Sequence, residues 1–155
     1  MRIPCARSVS PLFPHIACCI DDSAASDRAL AEARRLRALG PGRLSLVHVA
    51  PWPLGLHGGA GGWVPEVAEL EKGAREWLAV RAAEVPEAEQ VILCGHPAAT
   101  VCDWAEREHP DLIVVATHRG TLARALLGSF ASFLAQHSPC PVLLVRPPAT
   151  HEEGR

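Results

Sequence analysis

Short, continuously apolar runs alternate with longer amphipathic stretches along the chain. Runs that are apolar throughout, rather than at every second position, are typical of strands covered on both faces of a sheet. Glycine, proline, aspartate or serine bounds most of these runs. The predicted strands are His15–Ile20, Arg43–Ala50, Gln90–Cys94, Asp111–Ala116 and Pro141–Arg146.

Between the predicted strands, apolar residues recur at the spacing of a helix. In the first of them, Ser26 suits the N-cap and Gly40 the stop. Pro97 suits the first turn of the third helix. The predicted helices are Ser26–Leu39, Pro65–Val85, Ala98–Glu108 and Ser129–Gln136.

This alternation predicts the fold class. Strands separated by helices of this length indicate right-handed crossovers and parallel pairing. We therefore expect an α/β, Rossmann-like fold, a doubly wound five-stranded parallel sheet with helices on both faces. Ligands of such sheets bind beyond the carboxyl ends of the strands, where the strand order reverses. The loops after the first, second and fourth strands are therefore candidate binding loops.

Composition narrows the function classes. The chain has 155 residues, a net charge of -2, and 48% apolar and 21% charged residues, as expected of one globular domain. No stretch is strongly basic, so we expect no nucleic acid partner. The apolar runs are shorter than the ~20 residues of a membrane span, so we expect no membrane segment.

The predicted domain occupies residues 15–148. Residues 1–14 are expected to form a flexible arm, since prolines interrupt them and no apolar segment marks a signal peptide. Residues 149–155 are expected to be a tail. The segment Pro51–Gly62 contains five glycines and two prolines and is predicted to be a loop.

The six cysteines form no CxxC pair and no spaced framework. Most lie in apolar runs, so we interpret them as reduced core thiols of a cytoplasmic protein. Cys18 and Cys19 would point to opposite faces of a strand and cannot share a metal. A redox sensor remains an alternative, and it needs an exposed thiolate.

No catalytic set stands out. Asp21 to Ser26 reads DDSAAS, which is not a glycine-rich dinucleotide fingerprint, and phosphate-loop, G-x-S-x-G and HExxH motifs do not occur. His118 is an isolated acid–base candidate. We therefore expect a binding protein rather than an enzyme.

Nearly the whole chain from His15 to Pro147 resembles the universal stress protein family, and five segments carry the resemblance. They are CIDDSAASDRAL, LSLVHVAP, CGHPAATVCDWA, DLIVVATHRGTLARALLGS and HSPCPVLLVRP. The resemblance implies an adenine nucleotide alpha-hydrolase-like fold and a small cytoplasmic stress-response protein. It also implies an adenine nucleotide ligand, with magnesium if that ligand is ATP, and at most slow ATP hydrolysis.

The same resemblance implies the binding residues. Asp21 matches the aspartate that meets the nucleoside, and Val49 matches the residue whose backbone meets adenine. In the family, a G-x2-G-x9-G-[ST] loop wraps the ribose and phosphates. Here Gly128 and Ser129 match its end, followed by Phe130. Such a loop brings backbone N–H groups and a helix N-terminus to the phosphates.

The first half of that loop departs from the pattern. Val115 and His118 stand at the spacing of the first two glycines. If the loop is one residue shorter, Ala116 replaces the first glycine and Gly120 approximates the second. Losing two amide bonds to a phosphate would cost ~3–6 kcal/mol, which Arg119 could offset in part.

Alternatives without a nucleotide also fit these residues. Ser129 could be only an N-cap, Asp21 and Asp22 only a turn, and Gly120 only a loop glycine. His48 fits a hydrogen-bonded core histidine better than a ligand. At the level of the whole protein, the alternative is a nucleotide-independent interaction module. For it the resemblance implies a homodimer that pairs through Pro141 to Arg146.

Overall fold

The computed structural model describes residues 12–51, 65–117 and 128–147. These residues form one five-stranded sheet and four helices. The strands are β1 (His15–Cys19), β2 (Arg43–Pro51), β3 (Glu89–Gly95), β4 (Leu112–Ala116) and β5 (Val142–Val145). The helices are α1 (Ala24–Arg37), α2 (Pro65–Ala82), α3 (Pro97–Glu108) and α4 (Ser129–His137).

The strand order is β3-β2-β1-β4-β5, and every neighbouring pair is parallel. The chain first winds outward from β1 to β3, and then returns to build β4 and β5 on the other side of β1. The strand order thus reverses between β1 and β4, where an open α/β sheet leaves a crevice. The predicted α/β fold class is confirmed.

The sheet separates two apolar layers. Ile16, Cys18 and Leu46 face α1 and α2, and Ala17 and Val47 face α3 and α4. Successive side chains of a strand point to opposite faces, so a strand buried on both sides must be apolar at every position. This is why the strands are continuous apolar runs in the sequence.

The residues predicted as N-caps differ from the structure in two helices, although the predicted start of the fourth helix at Ser129 is confirmed. The N-cap position of α1 is held by Ser23, and Ser26 lies inside the first turn. The Ser26 hydroxyl is instead hydrogen-bonded to the backbone and carboxylate of Asp21. At α4 the N-cap is Gly128, and Ser129 is the first helical residue, so the interpretation of Ser129 as an N-cap is wrong.

Short hydrogen bonds join the amino ends of the strands. The Asp111 carboxylate accepts the N–H of His15 at 2.8 Å, and the Asp111 N–H donates to the His15 carbonyl at 2.8 Å. The N–H of Arg43 donates to the Pro14 carbonyl at 2.8 Å. These bonds fix where β1, β2 and β4 begin relative to one another.

None of the helices in the described ranges is long and apolar enough to span a membrane.

Gly42 lies where the chain from α1 passes close to the segment before β1. A Cβ at Gly42 would lie 2.8 Å from the Pro14 carbonyl oxygen and 2.9 Å from that of Phe13. Both atoms are backbone, so they cannot move aside as a side-chain end would. Gly73, inside α2, has nothing within 4 Å of the same built atom.

We predict opposite effects for alanine at these two glycines. Gly42→Ala should destabilise the fold by about 1–3 kcal/mol through overpacking. Gly73→Ala should stabilise it by about 0.5–1 kcal/mol, because alanine is the better helix former. Urea unfolding of both variants and the wild type measures the difference. Equal stability of the two variants would contradict the close approach at Gly42.

Candidate functional site

A pocket of about 350 Å³ lies at the carboxyl ends of β1, β2 and β4. It occupies the crevice where the strand order reverses. Six residues predicted as ligand contacts line it: Asp21, Val49, Ala116, Gly128, Ser129 and Phe130. The remaining predicted contacts, His118, Arg119 and Gly120, lie outside the described residues. Predicted contacts from distant parts of the chain, from Asp21 to Phe130, therefore meet at one pocket.

The first turns of three helices reach this pocket. Ser26 of α1, Pro97 of α3 and Ser129 of α4 all line it. The first N–H groups of a helix have no acceptor within the helix, and the helix dipole places about half a positive charge at that end. None of the described lining residues is a lysine or arginine. In the described part of the site, attraction for an anion therefore comes from backbone dipoles.

Asp21 is held firmly by the loop that follows it. Its Oδ1 accepts the backbone N–H of Ser23 at 2.9 Å and the Ser23 hydroxyl at 2.5 Å. The same oxygen accepts the Ser26 hydroxyl at 2.6 Å, and the Ser26 Oγ accepts the Asp21 N–H at 2.8 Å. The turn-forming interpretation of Asp21 is therefore correct. Asp21 also lines the pocket, so the two roles are compatible.

Gly128 has φ +77° and ψ 151°, a conformation that residues with a Cβ rarely adopt. A Cβ here would meet nothing within 4 Å, so the backbone conformation rather than lack of space explains the glycine. Ala116, which the resemblance would align with a family glycine if the loop is one residue shorter, ends β4 in register with Val145. Among the described non-glycine residues only His109 has positive φ, so alanine fits Ala116 without backbone strain.

The pocket wall is mostly apolar on the side of β2 and β4. Val47, Val49 and Val115 contribute side chains on the same face of the sheet as α3 and α4. Phe130, in the first turn of α4, packs against this layer and also lines the pocket. An apolar wall with a few polar groups at its rim is the usual character of a small-molecule site.

His48 contacts both the pocket and the core. Its Nδ1 lies 3.0 Å from the Ile20 carbonyl oxygen, so Nδ1 carries the proton and donates. The ring is tilted against Trp77, with centroids 4.6 Å apart. His48 thus ties the end of β1 to β2, in agreement with its interpretation as a hydrogen-bonded core histidine.

Sequence reasoning missed Ser26 and Pro97 as pocket residues. The sequence predicts Ser26 as an N-cap. Its position five residues after Asp21 instead suits a hydroxyl that reaches back over one helical turn to the Asp21 carboxylate. Pro97 follows β3, a strand whose loop was not singled out. In a parallel sheet every strand-to-helix junction lies at the same edge, and that rule could have included it.

The described cysteines do not fit a redox site. Cys18, Cys19, Cys94, Cys102 and Cys140 are free thiols. Burial raises the pKa of Cys19 to about 12 and also raises the pKa of Cys18. Burial, followed by the neighbouring Glu71 carboxylate, raises the pKa of Cys94. These shifts all oppose thiolate formation. Within the described ranges, no three His, Cys, Asp or Glu side chains are grouped to hold a metal ion.

Comparison with known proteins identifies the family. The model of the universal stress protein family matches residues 13–146. A universal stress protein A homolog of Coxiella burnetii is 32% identical over 139 residues, which are 86% of this chain and 96% of that protein. A universal stress protein of Methanocaldococcus jannaschii is 37% identical over 81 residues. That match covers 52% of this chain and spans only 44% of the length of the relative.

Solved structures agree in fold. The universal stress protein UspA from Lactobacillus plantarum superposes with a TM-score of 0.62 at 23% identity, covering 86% of this chain and 98% of that one. A universal stress protein crystallised in complex with cAMP has a TM-score of 0.57 at 22% identity, covering 86% and 96%. With the family model matching nearly all of the sheet and helices, the chain belongs to the universal stress protein family.

Proposed function

We propose that this protein binds an adenine nucleotide in the pocket at the carboxyl end of the sheet and acts as a small cytoplasmic stress-response protein. The observation that carries the proposal is the convergence of Asp21, Val49 and the first turn of α4 on one pocket. A family member of similar fold was crystallised with cAMP, which supports an adenine nucleotide as the ligand class.

The chemistry of the pocket suggests how the ligand lies. The apolar wall of Val47, Val49 and Val115 suits the flat face of a base. Asp21, at the end of β1, suits the hydrogen-bond donors of the nucleoside. The N-terminus of α4 suits the phosphate, because its free N–H groups and dipole favour negative charge. A ligand in this orientation would use both the polar and the apolar parts of the pocket.

Binding without rapid turnover fits the described groups. Asp21 is engaged with Ser23 and Ser26, an arrangement that positions a carboxylate rather than one that activates a water. If the ligand is ATP, magnesium would accompany its phosphates. The volume of about 350 Å³ is near the lower end of the range of roughly 300–1,000 Å³ for small-molecule sites.

A proline at position 129 tests the phosphate contact. Ser129 is the first residue of α4, where proline is tolerated because its missing N–H has no partner within the helix. Ser129→Pro should therefore keep the fold and remove one amide from the anion site. An amide bonded to a charged oxygen contributes about 1.5–3 kcal/mol, so AMP affinity should fall roughly 10- to 100-fold. Isothermal titration calorimetry measures the AMP affinity of the variant and of the wild type.

Two controls make the test specific. Ser129→Ala removes the hydroxyl but keeps the amide, and it should bind AMP more tightly than Ser129→Pro does. Adenosine carries no phosphate, so its affinity should be the same for Ser129→Pro and the wild type. An equal loss for adenosine and AMP would point to a distorted pocket. Failure of the wild type to bind any adenine nucleotide would reject the proposal.

A nucleotide-independent interaction module is the second candidate function, and the position of β5 favours it. β5 is an edge strand made of Val142, Leu143, Leu144 and Val145, all of them only partly buried. An apolar edge strand offers unpaired backbone groups to another chain and needs cover. A second copy of the protein, pairing through Pro141 to Arg146, would provide that cover with two-fold symmetry.

Lysine at the β5 edge tests the homodimer. Leu144→Lys places a charge on an edge strand, which opposes strand pairing between copies. We expect the wild type to be dimeric and Leu144→Lys to be largely monomeric in size-exclusion chromatography with light scattering. Val80→Lys controls for the added charge alone, because Val80 is an apolar side chain on α2 that is 72% exposed, whereas Leu144 packs partly against the core. Urea unfolding of Leu144→Lys checks that the variant remains folded. A monomeric wild type, or dissociation by both variants alike, would refute pairing through β5.

A further inference from the structure

A chain of polar side chains runs from the buried His15 and Ser45 to the exposed Glu89 at the amino end of the sheet, the end opposite the pocket. His15, the first residue of β1, is 4% exposed, and its Nε2 lies 2.8 Å from the Oγ of fully buried Ser45 on β2. The Ser45 hydroxyl donates to the Glu89 carboxylate on β3 at 3.1 Å. Side chains of three neighbouring strands are thus linked in sequence.

The direction of these bonds indicates which nitrogen of the neutral imidazole carries the proton. A serine has a single proton to donate, and Ser45 gives it to the Glu89 carboxylate. With that proton donated to Glu89, Ser45 accepts from His15, and this pair of bonds assigns the imidazole proton to Nε2. The Nδ1 atom is then a buried acceptor without a hydrogen bond of good geometry among the described residues. The backbone carbonyl of Glu108 lies near enough to the ring to favour a proton there. The neutral imidazole, with its one N–H, is enough to form both hydrogen bonds of the chain.

Protonation would add an N–H at Nδ1 and a positive charge on an imidazole that is itself buried, although the neighbouring Arg43 and Glu89 side chains are half exposed. The indole of Trp104 on α3 closes one side, edge to face with the imidazole and 6.0 Å away between centroids. Trp104 is itself 6% exposed. A buried charge without full pairing is costly, so this environment favours the neutral ring.

The charged groups around His15 act in opposite directions. Burial lowers the pKa of His15 from 6.5, and the Arg43 guanidinium on β2 lowers it further. The Glu89 carboxylate, the Asp111 carboxylate before β4 and the Glu108 carbonyl at the end of α3 raise it, but they do not reverse the shift. The Arg43 guanidinium also lies 3.6 Å from the Glu89 carboxylate. Arg43 therefore offsets part of the attraction of that carboxylate for a proton on His15.

We propose that His15, Ser45 and Glu89 form an acid-sensitive latch, which closes the amino end of the sheet while His15 is neutral and loosens it when the imidazole gains a proton. The latch joins β1, β2 and β3 through side chains, in addition to their backbone ladder. It lies at the edge of the sheet remote from the candidate nucleotide pocket, so acid would act on the fold first and on the pocket only through it.

The sign of the effect follows from linkage. In the unfolded chain His15 would titrate near 6.5, above its pKa in the folded protein. The contribution of His15 to stability is therefore complete above pH 6.5 and is lost as the pH falls through the folded pKa. One proton taken up on unfolding lowers the folding equilibrium constant by at most about tenfold per pH unit.

Two measurements test the latch. An NMR titration of the wild-type imidazole signals should give His15 a pKa below 6.5. In urea unfolding, the folding constant of the wild type should fall between pH 7.5 and pH 5.5, and His15→Gln should remove part of that fall. Glutamine keeps an N–H donor for Ser45 and cannot be protonated in this range. His96→Gln, which changes an exposed histidine next to α3, should leave the fall unchanged.

Either measurement can overturn the proposal. A His15 pKa at or above 6.5 in the folded protein would show that protonation does not oppose folding. The same conclusion would follow if His15→Gln kept the full acid dependence of the wild type, or if His96→Gln reduced it equally. If His15→Gln does not fold at any pH, the titration of the wild-type imidazole decides alone.

Discussion

The parallel pairing of β1 with both β2 and β4 is the constraint on which the rest of the molecule depends. It brings together the carboxyl ends of strands that are distant in the chain. The short backbone bonds of Asp111 with His15 and of Arg43 with Pro14 fix the starting points of these strands. With the register set at the amino ends, the opposite ends align, and Asp21 lies across the same crevice as Ser129.

The largely apolar runs made all five strands predictable, because a strand covered on both faces has few polar positions in its middle. Ser45 and His48 of β2 are polar exceptions, and both are hydrogen-bonded. The helix starts were less predictable. The segment from Asp21 to Ser26 contains two aspartates and two serines, each able to cap a helix, and local sequence does not choose among them. The choice of Ser23 over Ser26 follows from the bonds of Ser26 to Asp21, which are tertiary detail.

The candidate site was predictable where it matched a known pattern and incomplete elsewhere. Asp21, Val49 and Ser129 came from family resemblance, and the fold brings them to one pocket. Pro97 lies in a segment that resembles the family, but the resemblance gave it no binding role, and only the geometry of the sheet places it at the pocket. The link from His15 to Glu89 was also invisible in sequence, since a histidine at the start of an apolar run does not reveal a serine on the next strand.

The fixed carboxylate of Asp21 has a consequence for recognition. Its side chain is ordered by two hydroxyls and an amide of its own loop. A flexible aspartate would lose rotamer freedom when a ligand arrives, and that entropy loss would weaken association. Here the freedom is already lost when the chain folds, so the free protein presents the carboxylate in the geometry that a partner molecule meets. In the proposed complex, selectivity at this edge would then rest on shape fit to a rigid acceptor rather than on adaptation of the protein.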